Sequence, residues 1–192
     1  MQICLYGASS DEIDARYIDA THQLGVQMGT RGHAMIFGGG AAGLMGAAAR
    51  GMHESGGEII GVAPAFFNVD GILYEHCTEF IYTDTMHERK FRMEEMADAF
   101  IVCPGGIGTF EEFFEALTLK QLGRHNKPIT LFNIDGYYDD MNALIEKAIE
   151  GRFMKDACRA LVRSFDTSDA LLDYLERYDD STMLPEQMKF LR

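Results

Sequence analysis

Short apolar runs alternate along this chain with longer amphipathic stretches, and no other feature constrains its fold as strongly. Strands are predicted at 3–6, 34–37, 59–62, 80–82, 99–103 and 129–132, with a weaker seventh at 160–163. Each ends near Gly, Pro or another turn residue. Helices are predicted near 11–29, 43–55, 86–97, 110–123, 138–150 and 168–178. Strands separated by helices pair in parallel through right-handed crossovers. The runs are apolar on both faces, as expected of a sheet covered on each side. The expectation is an α/β fold: a doubly wound parallel sheet of about seven strands with helices on both faces. At 192 residues, one domain over 1–192 is expected, with a tail at 179–192 that docks or frays.

Charge narrows the partners. Seventeen Lys and Arg against thirty Asp and Glu give a formal net charge of −13 and a pI near 4.8. Such a surface repels phosphate backbones and anionic lipid, so neither nucleic acid nor membrane is an expected partner. No run approaches the ~18 apolar residues of a membrane span. The chain enters a strand-like run at Ile3 without a basic, cleavable leader. Its cysteines (Cys4, Cys77, Cys103, Cys158) are scattered, which suits reduced thiols in the cytoplasm. The histidines show no paired-ligand spacing, so no metal and no cofactor are expected.

In doubly wound folds ligands bind beyond the carboxyl ends of the strands, where strand order reverses. Three motifs fall at such ends. After the fifth strand comes Pro104-Gly105-Gly106-Ile107-Gly108-Thr109-Phe110-Glu111-Glu112. Its glycines allow close backbone approach at a helix N-terminus, which suits a phosphate. It lacks the Gly-Lys-Ser/Thr of a Walker loop, so a monophosphate fits better than a triphosphate. Thr109-x-x-Glu112 also reads as a capping box, and Glu111, Glu112 and Glu115 as complements of the helix dipole. Against that, a carboxylate beside a phosphate repels it, so its presence needs a use, such as binding ribose hydroxyls.

Asp84-Thr85-Met86-His87-Glu88-Arg89-Lys90 opens the third helix. Arg89 and Lys90 bring positive charge to the site, or else belong to a solvated face with Glu88–Arg92 support. Gly38-Gly39-Gly40-Ala41-Ala42-Gly43 follows the second strand and matches GxGxxG. The acid a dinucleotide needs at the end of the next strand is missing, so this turn is expected to give room to a neighbouring ligand. Ser9 and Ser10 add hydroxyls at the same edge, with Ser9-x-x-Glu12 as another capping box. The long irregular stretch at 64–79 is expected to be functional.

Together, Pro104-Gly105-Gly106-x-Gly108-Thr109-x-x-Glu112, Met86-x-x-Arg89-Lys90 and the Gly38–Gly46 turn closely resemble the LOG ("Lonely Guy") family. These are cytokinin riboside 5′-monophosphate phosphoribohydrolases, long mislabelled as possible lysine decarboxylases. The resemblance runs from Ile3 to about Ile149. It implies a Rossmann-like homodimer, or a higher oligomer, with sites near the dimer interface. The implied reaction hydrolyses the N-glycosidic bond of adenosine-type 5′-monophosphates to free base and ribose 5-phosphate. Arg89 and Glu112 are the implied catalytic pair. The implied substrate contacts are Ser9, Gly39, Gly40, Met86, Lys90, Gly105, Gly106, Ile107, Gly108, Thr109, Glu111 and Thr118. Plant-like members carry Pro-Arg-Glu where this chain has Pro64-Ala65-Phe66-Phe67, so the base or partner-subunit side of the pocket is expected to differ. A pyridoxal-phosphate decarboxylase needs a Schiff-base lysine with its partners, and no such set is identifiable. The alternatives are a general AMP nucleosidase and a nucleotide-sensing module without turnover.

Overall fold

A computed structural model describes residues 1–68 and 71–179. Seven parallel strands form one sheet in the order β4-β3-β2-β1-β5-β6-β7. They are β1 (Gln2–Tyr6), β2 (Ala34–Phe37), β3 (Glu58–Pro64), β4 (Glu79–Thr83), β5 (Ala99–Val102), β6 (Ile129–Phe132) and β7 (Arg163–Phe165). The helices are α1 (Ala15–Thr30), α2 (Gly43–Glu54), α3 (Met86–Met96), α4 (Ile107–Gln121), α5 (Asp139–Glu150) and α6 (Ser168–Glu176). The chain steps outward from β1 to β4, then returns to lay β5 on the other flank of β1. The carboxyl ends of β1 and β5 are therefore the switch point of this Rossmann-like sheet.

The pleat sends alternate residues to opposite layers. Ile3 and Leu5 of β1 pack with Leu24 of α1, Leu44 and Met52 of α2 and Leu171 of α6. Cys4 and Tyr6 pack with Met93 of α3, Phe113 and Leu117 of α4 and Ile149 of α5. Burying each large side chain contributes about 1.5–3 kcal/mol, which explains why β2 and β5 are apolar at every position. Cys4, Cys77 and Cys103 are free thiols. Among the described residues, no helix is long and apolar enough to cross a membrane.

Four expectations need correction. The seventh strand is Arg163–Phe165, not 160–163: Asp156–Ala160 forms a 3-10 turn, and Leu161 is buried against the α3–α5 layer. The strand proper is a polar segment at the sheet edge, paired with β6 alone. Helix α1 begins at Ala15, capped by Asp14, whose carboxylate accepts from the Arg16 amide at 3.1 Å. The Ser9-x-x-Glu12 box does not form; Ser10 Oγ accepts from the Glu12 amide instead. Helix α4 begins at Ile107, three residues earlier than the glycines suggest. The expected tail lies outside the described residues from 180 onward, as do Val69 and Asp70 of the 64–79 stretch.

Candidate active site

Gly106 is the N-cap of α4 and offers no side chain to its first turn. A helix leaves its first amides without internal acceptors. Those of Ile107, Gly108 and Thr109 find none among the other described residues. Gly106, Ile107 and Gly108 are exposed, and a side chain at Gly106 or Gly108 would meet open space. Thr109, by contrast, is buried and packs against Gly105, where no Cβ fits. Thr109 is thus the third residue inside α4, not its cap, so the expected box with Glu112 does not form.

Glu112 is released for another partner. It lies about 7.5 Å along the helix from Ile107, and its Oε1 accepts from the Arg89 guanidinium at 2.9 Å. The side chains are 9% and 13% exposed. Arg89 also donates from Nε to the Val62 carbonyl at 3.2 Å. Its outer nitrogen lies against Gly38, where a Cβ would collide with it. Three segments at the carboxyl edge therefore hold one guanidinium: the end of β3, the glycine turn after β2, and α4. Burial pushes the Glu112 carboxyl above its usual range, while Arg89 opposes the shift.

Lys90 and Glu111 also meet. Lys90 Nζ is 2.5 Å from Glu111 and 2.7 Å from Glu115. Nearby Glu94 is half-buried, and desolvation with Glu115 raises its carboxyl to about 7. Helix α3 is capped by Thr85, which accepts from the Glu88 amide at 3.1 Å. Glu88 in turn accepts from the Asp84 amide and Arg92 pairs with Glu95, so the expected Glu88–Arg92 support is not the pairing adopted.

The turn after β2 is filled from within. Gly43 has φ +59°, and the Ala8 carbonyl occupies the place of any Cβ. Its amide donates to Asp11 at 2.8 Å, and those of Leu44 and Met45 to the Ala8 carbonyl at 2.8 and 3.4 Å. Gly39 is buried beneath Phe80. The segment after β3 roofs the turn: Ala41 donates to the Ile72 carbonyl and Tyr74 to that of Gly39. The room expected here for a ligand is taken by Arg89, Phe80 and backbone.

Gly40 is half-buried, bridged to Leu73, and Met86 is the exposed first residue of α3. Ser9 is exposed beside Ala8. Thr118 is not brought to the pair: it lies about 9 Å beyond Glu112 along α4, on an exposed face. Ala8, Tyr137 and Tyr138, which no sequence motif singles out, donate to the carbonyls of Pro104, Gly105 and Cys103. The only sequence signal was a tyrosine pair just beyond β6. Among the described residues no group of three or more His, Cys, Asp and Glu side chains is placed to hold a metal.

A family model described as "Possible lysine decarboxylase" matches residues 45–175. The chain is 40% identical over 177 residues to cytokinin riboside 5′-monophosphate phosphoribohydrolase LOG2 of Arabidopsis thaliana, covering 92% of this chain and 83% of that protein. It is 39% identical to the enzyme LOG of Oryza sativa subsp. japonica, over 92% of this chain and 73% of that one. Among solved structures, the molybdenum cofactor binding protein of Rippkaea orientalis superimposes with a TM-score of 0.70 at 20% identity, over 91% and 94% of the two chains. The Moco carrier protein of Chlamydomonas reinhardtii gives 0.69 at 22% identity, over 92% and 95%. At those identities the likeness is one of fold alone.

Proposed function

The chain belongs to the family described as possible lysine decarboxylase, together with the LOG phosphoribohydrolases, and from that premise we propose that it hydrolyses adenosine-type nucleoside 5′-monophosphates. The products are free base and ribose 5-phosphate. The observation that carries this reading is the buried Arg89–Glu112 pair at 2.9 Å, one and a half turns from the open amides of α4. A phosphate receives those amides and the positive end of the helix dipole. The ribose then lies toward Glu112.

Breaking the C1′–N bond leaves positive charge on the sugar and sends the electron pair to the base. Water adds its hydroxyl to C1′, and its remaining proton ends on the base. The Glu112 carboxylate stabilises the sugar cation and orients the attacking water. The Arg89 guanidinium donates and has no acceptor, so its work is to hold Glu112 ionised and aimed. A helix dipole complement or cap has no need of a buried arginine partner.

Two finer points belong to the same reading. Phe66, Phe67 and Ile72, all exposed, follow β3 at this edge and suit an apolar substituent on the base, in keeping with the cytokinin named for the relatives. Ile107 and Phe114 are exposed on α4, Leu122 at its C-cap and Phe91 on α3. They suit burial against a second copy, and Thr118 on that surface then serves the homodimer. Free thiols at Cys4, Cys77 and Cys103 suit the cytoplasm.

Chromatography of products tests the reading, with AMP and N6-isopentenyl-AMP incubated separately. Free base from both supports the hydrolase, and the ratio of kcat/KM decides between a general nucleosidase and a cytokinin-directed enzyme. Nucleotide bound but left intact contradicts turnover and leaves a sensing module.

A further inference from the structure

We propose that Tyr137 and Tyr138 are positioning residues that hold the phosphate turn in its receiving conformation, an inference that rests on the phosphate reading above. Three consecutive carbonyls precede the amides left without acceptors, and each accepts a hydrogen bond from a different residue. Cys103 accepts from the Tyr138 hydroxyl at 2.7 Å. Pro104 accepts from the Ala8 amide at 3.0 Å. Gly105 accepts from the Tyr137 hydroxyl at 2.6 Å. Their negative ends are thereby turned into the body of the protein. The peptide units that follow present N–H groups outward, where an anion is to sit.

The brace is itself built rigidly. Two neighbouring tyrosines reach carbonyls two residues apart because they leave the junction after β6 with rings at 90° and centroids 5.0 Å apart. Asp135 (φ 51°) and Gly136 (φ 73°) turn the chain sharply just before them. Asn133 then locks the turn: its Oδ1 accepts from the Tyr138 amide at 2.7 Å, and its Nδ2 donates to Asp139 and Asp166 at 2.9 and 3.2 Å. Tyr138 is 1% exposed and Tyr137 39%. Tyr138 is therefore part of the core, whereas Tyr137 has only its hydroxyl committed to the turn. Preorganised amides bind without first paying for their own ordering, so loosening one carbonyl should weaken phosphate capture specifically.

The test is calorimetric titration of ribose 5-phosphate into wild type, Tyr137→Phe and Tyr138→Phe, with melting curves on the same samples. Kinetics on AMP and on adenosine accompany it. Removing the Tyr137 hydroxyl should weaken ribose 5-phosphate binding about five- to tenfold, the size of one hydrogen bond, with the melting temperature kept. The KM for AMP should rise in step, while kcat/KM for adenosine, which has no phosphate, stays unchanged. Tyr138→Phe should lower both affinity and melting temperature, because it strips a buried carbonyl of its donor. Affinity within twofold of wild type in Tyr137→Phe, or equal losses on AMP and adenosine, would overturn the proposal. Wild type that fails to bind ribose 5-phosphate would overturn the phosphate reading and the brace with it. Wild type that binds it but cleaves no nucleotide would overturn the hydrolase alone, leaving the brace to be judged on affinity.

Discussion

Two glycine-rich turns join strand to helix in this protein, and they end in opposite states. After β2 the first amides of α2 are taken by Asp11 and Ala8, and the space at its glycines holds Arg89, Phe80 and backbone. After β5 the first amides of α4 have no acceptor among the described residues, and the glycines at 106 and 108 face open space. Glycine spacing does not distinguish them. What distinguishes them is whether the rest of the chain supplies an acceptor: one turn builds the site's wall and the other its mouth. Ala8 serves both, accepting from α2 and donating to Pro104.

The largest expected effect tests the chemistry beside the open turn. Glu112→Gln should keep fold and nucleotide affinity while lowering kcat on the order of 100- to 1000-fold, read by single-turnover release of base. Because burial raises the Glu112 carboxyl, the acid limb of kcat/KM should lie above the ordinary glutamate range near about 4.3. The carboxylate is the working form, so activity is lost as pH falls through that raised value. A limb within the ordinary range would mean that Glu112 acts from solvent.

Next in size is a paired substitution that sets the turns against each other. Gly43→Ala puts a side chain at φ +59° into the Ala8 carbonyl and should destabilise the fold by about 3 kcal/mol, read by chemical denaturation. Gly106→Ala meets no neighbour and should leave the melting temperature unchanged or slightly higher. Its effect should appear instead as a KM for nucleotide raised about tenfold, since a methyl crowds an anion at the amides. Reversed outcomes would mean that the roles of the two turns are exchanged.

Strands β1, β2, β3, β5 and β6 were legible because a residue run apolar on both faces has few uses outside a covered sheet; the half-exposed edge strand β4 was marked by Phe80-Ile81-Tyr82 alone. The edge strand β7 was not legible, since Arg163 and Ser164 are exposed and the apolar residues just before them pack elsewhere. The start of α4 is obscured by its own glycines, which are poor helix formers and have the composition of a loop. Arg89 and Glu112 were each visible, but their contact joins residues 23 apart on two helices and follows only once β5 is laid beside β1. The closure of the α2 turn by Asp11 and the brace from Tyr137 and Tyr138 are likewise tertiary facts with no local signature.

Two smaller effects sharpen the same contrast. Asp11→Ala removes an acceptor from α2 and should lower stability by about 1 kcal/mol with KM unchanged. Glu94 has a folded pKa of about 7, above its ordinary value, so its contribution is fully present below the unfolded pKa and is lost as pH rises through 7. Glu94→Gln should therefore be more stable than wild type at pH 8, by about 1 kcal/mol after allowing for its partial exposure, and gain little at pH 4.

The most direct measurement of the contrast is a titration of the ¹⁵N-labelled protein with ribose 5-phosphate, followed by amide shifts. Saturable shifts at Ile107, Gly108 and Thr109, with Gly43, Leu44 and Met45 unmoved, are the predicted result. Shifts centred on the α2 turn, or none at α4, would contradict the assignment of the open turn as the phosphate site.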